Sequence, residues 1–583
     1  MPRFAYHTKR EVFILKNKPF ITLSTPEAET AVTAPVYPRP CLVRASFFSL
    51  DGNWEFSAKP RGMQPDLSRL IRVPFPPESA LSRVGEQFLD GTELTYRRTF
   101  ALPEGFCRDR VILHVGACDQ VAKVWLNSHF LGEHVGGYLP FSFEVTKWLR
   151  AGDNTLMIQV TDELDTHVLP WGKQKHKRGG MWYTPVSGIW QSCWLESVPD
   201  VYVKGLHVQA DDKRAVIRAE GVDEGMVIVT TPEGLTCAKM RNGVAEIPLD
   251  APRLWSPEDP YLYRFKLICG EDTVRSYFAC RTLSVKEIGG VKRLCLNGKP
   301  YFFHGLLDQG YFPDGIFTPA HPVRYEKDIL LAKSLGFNTL RKHIKIEPQQ
   351  FYYDCDRLGM VVFQDMVNNG DYSFFRDTAL PTVGVKRRND KKLHRDPATR
   401  SAFLKAMEET VQALSNHPSI CYWTIFNEGW GQFDGNAAYL RMKELDDTRF
   451  IDTASGWFEV ENSDVESPHV YFKPVKCRPT QKPLVLSEFG GYSLALEGHV
   501  ATPGQVYGYR KFNTEAEFGA ALAQLYRREI LPAAKAGLSA AIYTQLTDVE
   551  DEVNGLATYD RKRVKVDTAL MQQIAKELKN AHN

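Results

Sequence analysis

Cys421-Tyr422-Trp423-Thr424-Ile425-Phe426-Asn427-Glu428-Gly429-Trp430 is an apolar run that ends in a carboxylate and a glycine. Pro483-Leu484-Val485-Leu486-Ser487-Glu488-Phe489-Gly490 repeats this pattern later in the chain. Short apolar runs of this kind, bounded by turn residues, are typical of buried strands. Burying a carboxylate without a purpose is costly. The two stretches therefore predict strands that each present a glutamate at one edge of a sheet.

Around these two stretches, short apolar runs alternate with helical segments. We predict strands at residues 301–304, 339–343, 360–365, 420–427, 450–454, 465–471, 484–488 and 539–545. One helix is well marked, because Asp396 can cap it and Pro397 stands at its first position. Its apolar face comprises Phe403, Met407, Val411 and Leu414. Eight strands with intervening helices predict a (β/α)₈ barrel over residues 287–583.

The chain before residue 287 has the pattern of β structure. After 40 residues without a clear pattern, turns such as Asp51-Gly52-Asn53-Trp54 separate alternating runs such as Arg110-Val111-Ile112-Leu113-His114-Val115. Many short strands of this kind predict a sandwich or jelly roll within residues 1–199. Residues 200–286 carry a second, smaller set of alternating strands, which fits one immunoglobulin-like sandwich. We therefore predict a β plus α/β protein of three domains.

Composition restricts the class of protein. The chain has 583 residues, of which 43% are hydrophobic and 24% charged, so several globular domains are expected. A net charge of +2 gives no basis for attraction to nucleic acid or to an anionic membrane. No run approaches the roughly 18 apolar residues of a membrane span, and the start lacks the apolar core of a signal peptide. Eleven cysteines without a C-x-x-C pair favour a reduced, cytoplasmic protein, although a removed leader would change this expectation.

The two glutamates predict a chemistry. By strand count Glu428 follows the fourth barrel strand and Glu488 ends the seventh, and barrel enzymes place catalytic groups at such strand ends. Cleaving a glycosidic bond with retention needs two carboxyl groups about 5–5.5 Å apart, one protonated and one ionised. A structural carboxylate paired with arginine is the alternative for either residue alone. We expect Glu428 to act as the acid/base and Glu488 as the nucleophile.

Several motifs together resemble glycoside hydrolase family 2, the β-galactosidase, β-glucuronidase and β-mannosidase group. The resemblance covers about residues 47–560 and implies a jelly roll, an immunoglobulin-like sandwich and a catalytic (β/α)₈ barrel. It also implies an acid/base at Glu428 and a nucleophile at Glu488. The motifs are Asn427-Glu428, Ser487-Glu488-Phe489-Gly490, Gly336-Phe337-Asn338-Thr339-Leu340-Arg341, Asn416-His417-Pro418-Ser419, Asp51-Gly52-Asn53-Trp54 and Gly188-Ile189-Trp190-Gln191.

Four further residues are candidates for positioning the sugar or the nucleophile. By resemblance, Asn427 hydrogen-bonds the sugar 2-OH, a contact that strengthens in the transition state. Tyr471 ends the predicted sixth strand and could hydrogen-bond Glu488, and Arg341 could hold Glu488 ionised. His343 lies on the same strand face as Arg341. The alternatives are a turn asparagine, a core tyrosine, a salt bridge inside the barrel and a packing histidine.

The remaining candidates lie at other strand ends. Asp308 and Gln309 follow the first barrel strand and could bind sugar hydroxyls or stabilise a loop. Trp430 and Trp457 could stack on the sugar or fill the core and rim. We expect no metal and no organic cofactor, because no His/Cys cluster with ligand spacing is present and the Glu-x-His pattern is missing near Gln364-Asp365.

The identity of the sugar depends on a few departures from the family pattern. The Asn-x-Lys pair that marks glucuronidases is absent at Asn554-Gly555-Leu556, so a terminal β-galactoside is our first expectation. A β-glucuronide, another β-hexuronide and a β-mannoside remain alternatives. If the second strand continues, Lys345 joins Arg341 and His343 in a basic row that suits a uronic acid. Glu347 could instead neutralise Lys345, and an outward, solvated lysine is the commoner case.

The expected partner is an oligosaccharide or glycoside, and a homo-oligomer remains open. Two other functions compete with hydrolysis. One is a non-catalytic carbohydrate-binding protein built on an inactive barrel, which the presence of both glutamates opposes. The other is a transglycosylase that uses the same residues.

Overall fold

The computed structural model describes residues 21–29, 36–382, 384–385, 389–476 and 480–582. Its first domain contains two antiparallel sheets that enclose an apolar core, with Trp54, Phe56 and Leu113 among the buried residues. This is the jelly roll that the sequence predicts. The six-stranded sheet has the order β3-β2-β4-β10-β7-β8, and the four-stranded sheet the order β1-β12-β5-β9. The strands are β1 Phe48–Ser49, β2 Gly52–Pro60, β3 Arg69–Val73, β4 Thr92–Ala101, β5 Arg110–Val115, β6 Cys118–Asp119, β7 Val121–Leu126, β8 His129–Val135, β9 Phe141–Glu144, β10 Asp153–Thr161, β11 Gly188–Ile189 and β12 Cys193–Val198.

The second domain is the expected immunoglobulin-like sandwich. Sheets β13-β14-β17 and β16-β15-β18-β19 face each other across a core that includes Ile217, Val229 and Phe265. A small sheet, β20-β21-β22, then leads into the barrel. The strands are β13 Gly205–Ala210, β14 Arg214–Glu220, β15 Gly225–Thr231, β16 Gly234–Met240, β17 Val244–Pro248, β18 Tyr263–Cys269, β19 Asp272–Phe278, β20 Leu283–Ile288, β21 Val291–Leu296 and β22 Lys299–Pro300.

The third domain is the predicted (β/α)₈ barrel. Eight parallel strands run in the order β27-β26-β25-β24-β23-β32-β29-β28. The ring closes between β27 and β28, where the Gly456 N–H donates to the Ser467 carbonyl at 2.8 Å. The strands are β23 Phe303–Asp308, β24 Thr339–Lys342, β25 Val361–Asp365, β26 Ile420–Asn427, β27 Phe450–Ser455, β28 His469–Val470, β29 Leu484–Gly490 and β32 Leu538–Thr544, with β30 Ser493–Leu494 and β31 Lys511–Phe512 forming a separate pair.

The α-helices lie mostly around the barrel. They are α1 Val323–Ser334, α2 Gln349–Leu358, α3 Leu380–Thr382, α4 Pro397–Leu414, α5 Gly435–Leu445, α6 Glu515–Leu525, α7 Leu531–Lys535 and α8 Thr568–His582. Short 3₁₀ segments are Pro26–Glu29, Ala80–Ser82, Thr146–Trp148, Leu164–Thr166 and Asp390–Lys392, and π-helical turns are Phe375–Ala379 and Tyr526–Ile530. Among the described residues, no helix is both long and apolar enough to cross a membrane.

Helix α4 has the start and the buried face that the sequence predicts. The Asp396 side chain accepts the Thr399 N–H at 2.8 Å, and Pro397 is the first helical residue. Phe403, Met407 and the other two predicted face residues are all buried. A carboxylate cap satisfies an N–H that would otherwise have no partner in the helix, so this start is encoded locally.

Two barrel strands differ from their predicted bounds by more than two residues at one end. The first runs to Asp308 rather than ending at His304. The predicted sixth strand, residues 465–471, is reduced to His469–Val470. Glu466 still forms a β-bridge with Leu484. The Ser467 carbonyl, however, accepts the Gly456 N–H, and the Ser467 hydroxyl donates to Asp452. Pairing along the strand is interrupted because Ser467 closes the barrel.

Residues 21–29 of the N-terminal segment pack against the barrel, whereas Tyr37 and Arg39 donate to Glu196 of the jelly roll. Leu23 belongs to the barrel core. The hydroxyl of Thr25 donates to Asp314 at 2.5 Å, and Lys327 of α1 donates to Glu27 at 2.6 Å. Residues 1–20 and 30–35 lie outside the described part of the chain.

Candidate active site

Glu428 and Glu488 meet at the mouth of the barrel. Glu428 follows β26, and Glu488 lies near the C-terminal end of β29. One carboxylate oxygen of each residue and a ring nitrogen of His469 all lie within 4.8 Å of one another. The Glu488 side chain is 6% exposed, whereas that of Glu428 is 14% exposed. Two neighbouring carboxylates in unequal surroundings suit paired acid and nucleophile roles.

Arg341, at the end of β24, forms hydrogen bonds with side chains on three other strands of the barrel, β25, β26 and β29. Its Nη1 donates to Glu488 Oε1 at 3.1 Å, and its Nη2 donates to Asn427 Oδ1 at 2.8 Å. Its Nε donates to Asp365 Oδ1 at 2.9 Å. The guanidinium is 1% exposed, so it neutralises buried carboxylates and fixes their orientation. The predicted proximity of Arg341 to Glu488 is present, and the contact of Arg341 with Asn427 is an addition that the sequence did not predict.

Tyr471 and His469 contact the carboxylates from the sixth strand. The Tyr471 hydroxyl donates to Glu488 Oε2 and lies 3.0 Å from the Thr544 hydroxyl. His469 Nδ1 lies 2.9 Å from Glu428 Oε1 and 3.6 Å from Glu488 Oε2. The imidazole thus stands between the two carboxylates and contacts both.

The charges around Glu488 favour its ionised form. Burial alone would raise the pKa of Glu488, but His469 and Arg341 together lower it to about 2. His343 Nδ1 lies 2.8 Å from Asp365 Oδ2 and 4.0 Å from Glu488 Oε1. Burial, followed by the positive charge of Lys173, lowers the pKa of His343 to about 4. An ionised carboxylate at Glu488 is the state that a nucleophile requires.

The backbone of Glu428 adopts an uncommon conformation. Its φ is 53°, in the left-handed region that residues with a side chain seldom occupy. The Glu428 N–H donates to the Ser455 carbonyl at 2.8 Å, and the Trp457 indole donates to the Glu428 carbonyl at 3.1 Å. Strained residues persist where neighbouring contacts determine them, and they are frequent at functional sites.

Comparison with known domains agrees with this architecture. The family model described as "Glycosyl hydrolases family 2, TIM barrel domain" matches residues 287–563. The family 2 sugar-binding domain matches residues 84–199, and a third family 2 domain matches residues 200–281. The chain belongs to glycoside hydrolase family 2.

Individual relatives within family 2 differ in their names. A β-galactosidase from Thermoanaerobacter pseudethanolicus is 28% identical over 378 residues, which are 60% of this chain and 46% of that protein. A β-glucuronidase from Rattus norvegicus is 24% identical over 416 residues, 64% of this chain and 60% of that protein. The chain therefore spans less than two thirds of the length of these curated relatives. The structure of a β-D-glucuronidase from Dictyoglomus thermophilum superposes with a TM-score of 0.71 at 18% identity, covering 93% of this chain and 98% of that one.

Asp308 and Gln309 have different surroundings in this family 2 barrel. Asp308 Oδ2 accepts from Lys342 at 2.6 Å, and its Oδ1 accepts the Gly310 N–H at 3.0 Å. Although burial favours the neutral acid, Lys342 holds the pKa of Asp308 below its usual value. Both Asp308 oxygens are thus occupied within the protein. Gln309 is 3% exposed, and neither its oxygen nor its nitrogen has a partner among the described residues.

The two tryptophans occupy different parts of the site. Trp430 is 1% exposed and stacks on Trp182, with ring centroids 5.1 Å apart and an interplanar angle of 24°. Trp457 is half-buried and lies edge-on to His469 at 5.7 Å. Trp430 is therefore covered by a jelly-roll residue. Trp457 instead contacts the His469 ring and donates to the backbone carbonyl of Glu428.

Lys345 contradicts the expectation of an outward, solvated lysine. Its side chain is 1% exposed, and its ammonium lies 3.0 Å from Glu347 Oε2 and 2.9 Å from the Phe317 carbonyl. The predicted basic row does not form either, because β24 ends at Lys342 and Ile344 has a φ of 52°. The strand alternation that would place Lys345 beside Arg341 and His343 is therefore broken.

Sequence reasoning missed His469, Asp365 and the loop that carries Lys173. His469 could have been found, because it precedes Tyr471 by two residues and so shares its strand face. Asp365 stands at the end of a predicted strand next to the Arg341 strand. Lys173 and Trp182 come from the jelly-roll domain, and no local pattern places them over the barrel.

Proposed function

We propose that the protein is a retaining exo-β-glycosidase that hydrolyses a terminal β-linked sugar. The observation that carries the proposal is the pair formed by Glu428 and Glu488, whose oxygens lie within 4.8 Å at the mouth of a family 2 barrel. The separation of this pair suits attack by one carboxylate rather than by an interposed water molecule. Names of relatives as β-galactosidase and β-glucuronidase support a glycoside substrate.

The proposed reaction has two steps. Glu488, ionised, attacks the anomeric carbon while protonated Glu428 gives its proton to the glycosidic oxygen, and the leaving group departs as an alcohol. Glu428, now ionised, then takes a proton from water, which attacks the anomeric carbon and releases Glu488. Two inversions give net retention.

The neighbouring residues have positioning roles in this reaction. Arg341 and Tyr471 hold the two oxygens of Glu488, so that the carboxylate is ionised and oriented before the substrate arrives. The side-chain oxygen Oδ1 of Asn427 accepts from Arg341, which leaves the Nδ2 hydrogens of Asn427 to reach the sugar 2-OH. The proposed mechanism needs no metal or organic cofactor, because the two carboxylates supply both the nucleophile and the proton.

An exo mode of action is supported by the jelly roll. Trp182 covers Trp430, and Arg178 lies 3.4 Å from Glu550 and 3.3 Å from Asp551 of the barrel. Residues of the jelly roll therefore form a wall on one side of the barrel mouth. A wall on one side suits a pocket for one terminal sugar better than a cleft that is open at both ends.

The stereochemistry of the first-formed product tests the proposal. Proton NMR of the reaction with a nitrophenyl β-glycoside, recorded before mutarotation, should show the β-anomer first. The α-anomer as the first product would contradict the two-step mechanism. Absence of hydrolysis across a panel of nitrophenyl β-hexosides and β-hexuronides would favour the carbohydrate-binding alternative instead.

A further inference from the structure

A loop of the jelly-roll domain brings Lys173 to the barrel mouth. The N–H groups of Trp171 and Gly172 donate to the Asn368 carbonyl at 3.1 and 3.3 Å, which ties the loop to the segment after β25. Lys173 is 8% exposed. Its ammonium lies 5.5 Å from the centroid of the Tyr183 ring and 6.0 Å from that of Trp430. Aromatic faces on two sides reduce the contact of this cation with water.

The ammonium of Lys173 has no anionic partner in the part of the chain that the structure describes. No ion pair joins it to a carboxylate among the described residues, although its side chain is only 8% exposed. Three other buried lysines are all paired: Lys342 with Asp308 at 2.6 Å, Lys345 with Glu347 at 3.0 Å, and Lys565 with Asp548 at 2.6 Å. Lys173 is the exception among the buried lysines of the described residues, because its cation is not neutralised by a carboxylate there and is available to an anion from outside the chain.

Two neighbouring side chains also carry buried polar atoms without a hydrogen-bond partner among the described residues. The amide nitrogen and oxygen of Asn368 are buried and have no partner among the described residues, and Asn368 is the residue to which the Lys173 loop is tied. The indole nitrogen of Trp430, whose ring faces Lys173, is likewise buried without a partner among those residues. An ammonium, an amide and an indole N–H together are suited to bind oxygen atoms that carry negative charge.

This corner lies beside the reacting groups. The charge of Lys173 contributes to the lowered pKa of His343, and His343 is 4.0 Å from Glu488. Trp430 follows Glu428 by two residues. A sugar with its anomeric carbon at Glu488 therefore places another of its substituents within reach of Lys173.

We propose that Lys173, assisted by Asn368, binds a carboxylate carried by the sugar itself, so that the substrate class is a terminal β-linked hexuronide. The inference rests on the proposed glycosidase function and narrows its substrate. It replaces the sequence expectation of a neutral β-galactoside, because the unpaired ammonium at the end of a mostly buried side chain suits a sugar carboxylate and would gain no ionic partner from a hydroxymethyl group. Lys345 does not take this role, since Glu347 neutralises it.

The test compares charged and neutral substrates on the full chain. We would measure kcat/KM with nitrophenyl β-glucuronide and β-galacturonide, and with nitrophenyl β-galactoside and β-glucoside. The proteins are the wild type, Lys173→Met, Lys173→Arg and the control Lys177→Met, which alters an exposed lysine of the same loop. The wild type should prefer one of the hexuronides. Lys173→Met should lower the ratio of hexuronide to hexoside kcat/KM by about 10- to 100-fold.

The controls separate substrate recognition from a structural role. Lys173→Arg should retain part of the hexuronide preference because it keeps the charge, and Lys177→Met should leave the ratio unchanged. An equal loss of both activities in Lys173→Met, or a wild-type preference for neutral hexosides, would overturn the inference. If neutral hexosides are hydrolysed with retention, only the role of Lys173 fails. If no glycoside is hydrolysed at all, the proposed function fails with it.

Discussion

Two buried clusters of charged residues at the mouth of the barrel differ in their balance of charge. The lysine cluster consists of Asp308, Lys342, Lys345 and Glu347, and the carboxylate cluster of Arg341, Asp365, Glu428, His469 and Glu488. In the lysine cluster two cations match two carboxylates, with Lys342 at 2.6 Å from Asp308 and 2.9 Å from Glu347. In the carboxylate cluster three carboxylates surround one arginine and one histidine.

The difference in balance indicates the role of each cluster. In the lysine cluster each ammonium is paired with a carboxylate, and these ion pairs hold the four side chains in place. In the carboxylate cluster, His469 and Arg341 lower the pKa of Glu488, while Glu428 is the more exposed carboxylate, and such unequal surroundings suit the two proposed roles. Burial alone does not distinguish the two clusters, because most of their members are nearly inaccessible.

Removing the Glu488 carboxylate should produce the largest effect on activity. Glu488→Gln eliminates the proposed nucleophile, and we expect kcat/KM to fall by about 10⁴- to 10⁶-fold. The variant should still fold, which near-UV circular dichroism checks, because Asp365 continues to neutralise Arg341 and glutamine retains the shape of the side chain. Activity close to the wild-type value in this variant would eliminate Glu488 as the nucleophile.

Removing a carboxylate from the lysine cluster should reverse this pattern. Glu347→Gln leaves Lys345 and Lys342 buried with less compensating charge, and we expect the free energy of unfolding to fall by about 3 kcal/mol. Turnover by the folded protein should stay much closer to the wild-type rate than in Glu488→Gln. Glu326→Gln is the matched control, because its partner Arg357 is 29% exposed and the pair should contribute at most about 1 kcal/mol. Equal stability of Glu347→Gln and Glu326→Gln would contradict a structural role for the lysine cluster.

The smallest effect concerns the pH dependence of the carboxylate cluster. Because the pKa of Glu488 is lowered to about 2, its ionised form stabilises the fold above the unfolded value of about 4.3, and this contribution is lost as the pH falls towards 2. His469 is the largest of the groups that lower this pKa. His469→Gln should therefore move the acid limb of the kcat/KM profile upward by about one pH unit. His499→Gln, a partly exposed histidine paired with Asp560, is the control and should leave the limb in place, while an unmoved limb in His469→Gln would contradict the assignment.

Local sequence signals predict the barrel and much of its site. The strand at Ile420–Asn427 has the predicted bounds, because an apolar run ends there in Asn427-Glu428-Gly429. The predicted proximity of Arg341 and Tyr471 to Glu488 is also present, since strand alternation fixes which side chains face the barrel interior. These features depend on residues whose position follows from their own strand.

Features that depend on distant contacts were not predictable in this way. The environment of Lys345 could not be read from alternation, because Ile344 leaves the strand geometry. The shortening of the sixth strand follows from the contacts of Ser467 with Gly456 and Asp452 across the barrel seam. The placement of Lys173 depends on the packing of one domain against another, for which a single sequence offers no periodic signal.

The hydrogen bonds between the Lys173 loop and Asn368 join the jelly roll to the barrel, which matters when domains of this architecture are exchanged between proteins. The barrel carries the two proposed catalytic carboxylates, yet part of the wall around them belongs to a domain that precedes it in the chain. A graft of the barrel onto a foreign jelly roll would keep Glu428 and Glu488 but lose Lys173 and Trp182, and the Trp430 ring would become accessible to solvent. Under the proposed roles, bond cleavage would depend on the barrel and the choice of sugar on the first domain, so we expect exchange of the first domain to alter selectivity without a change in the barrel sequence.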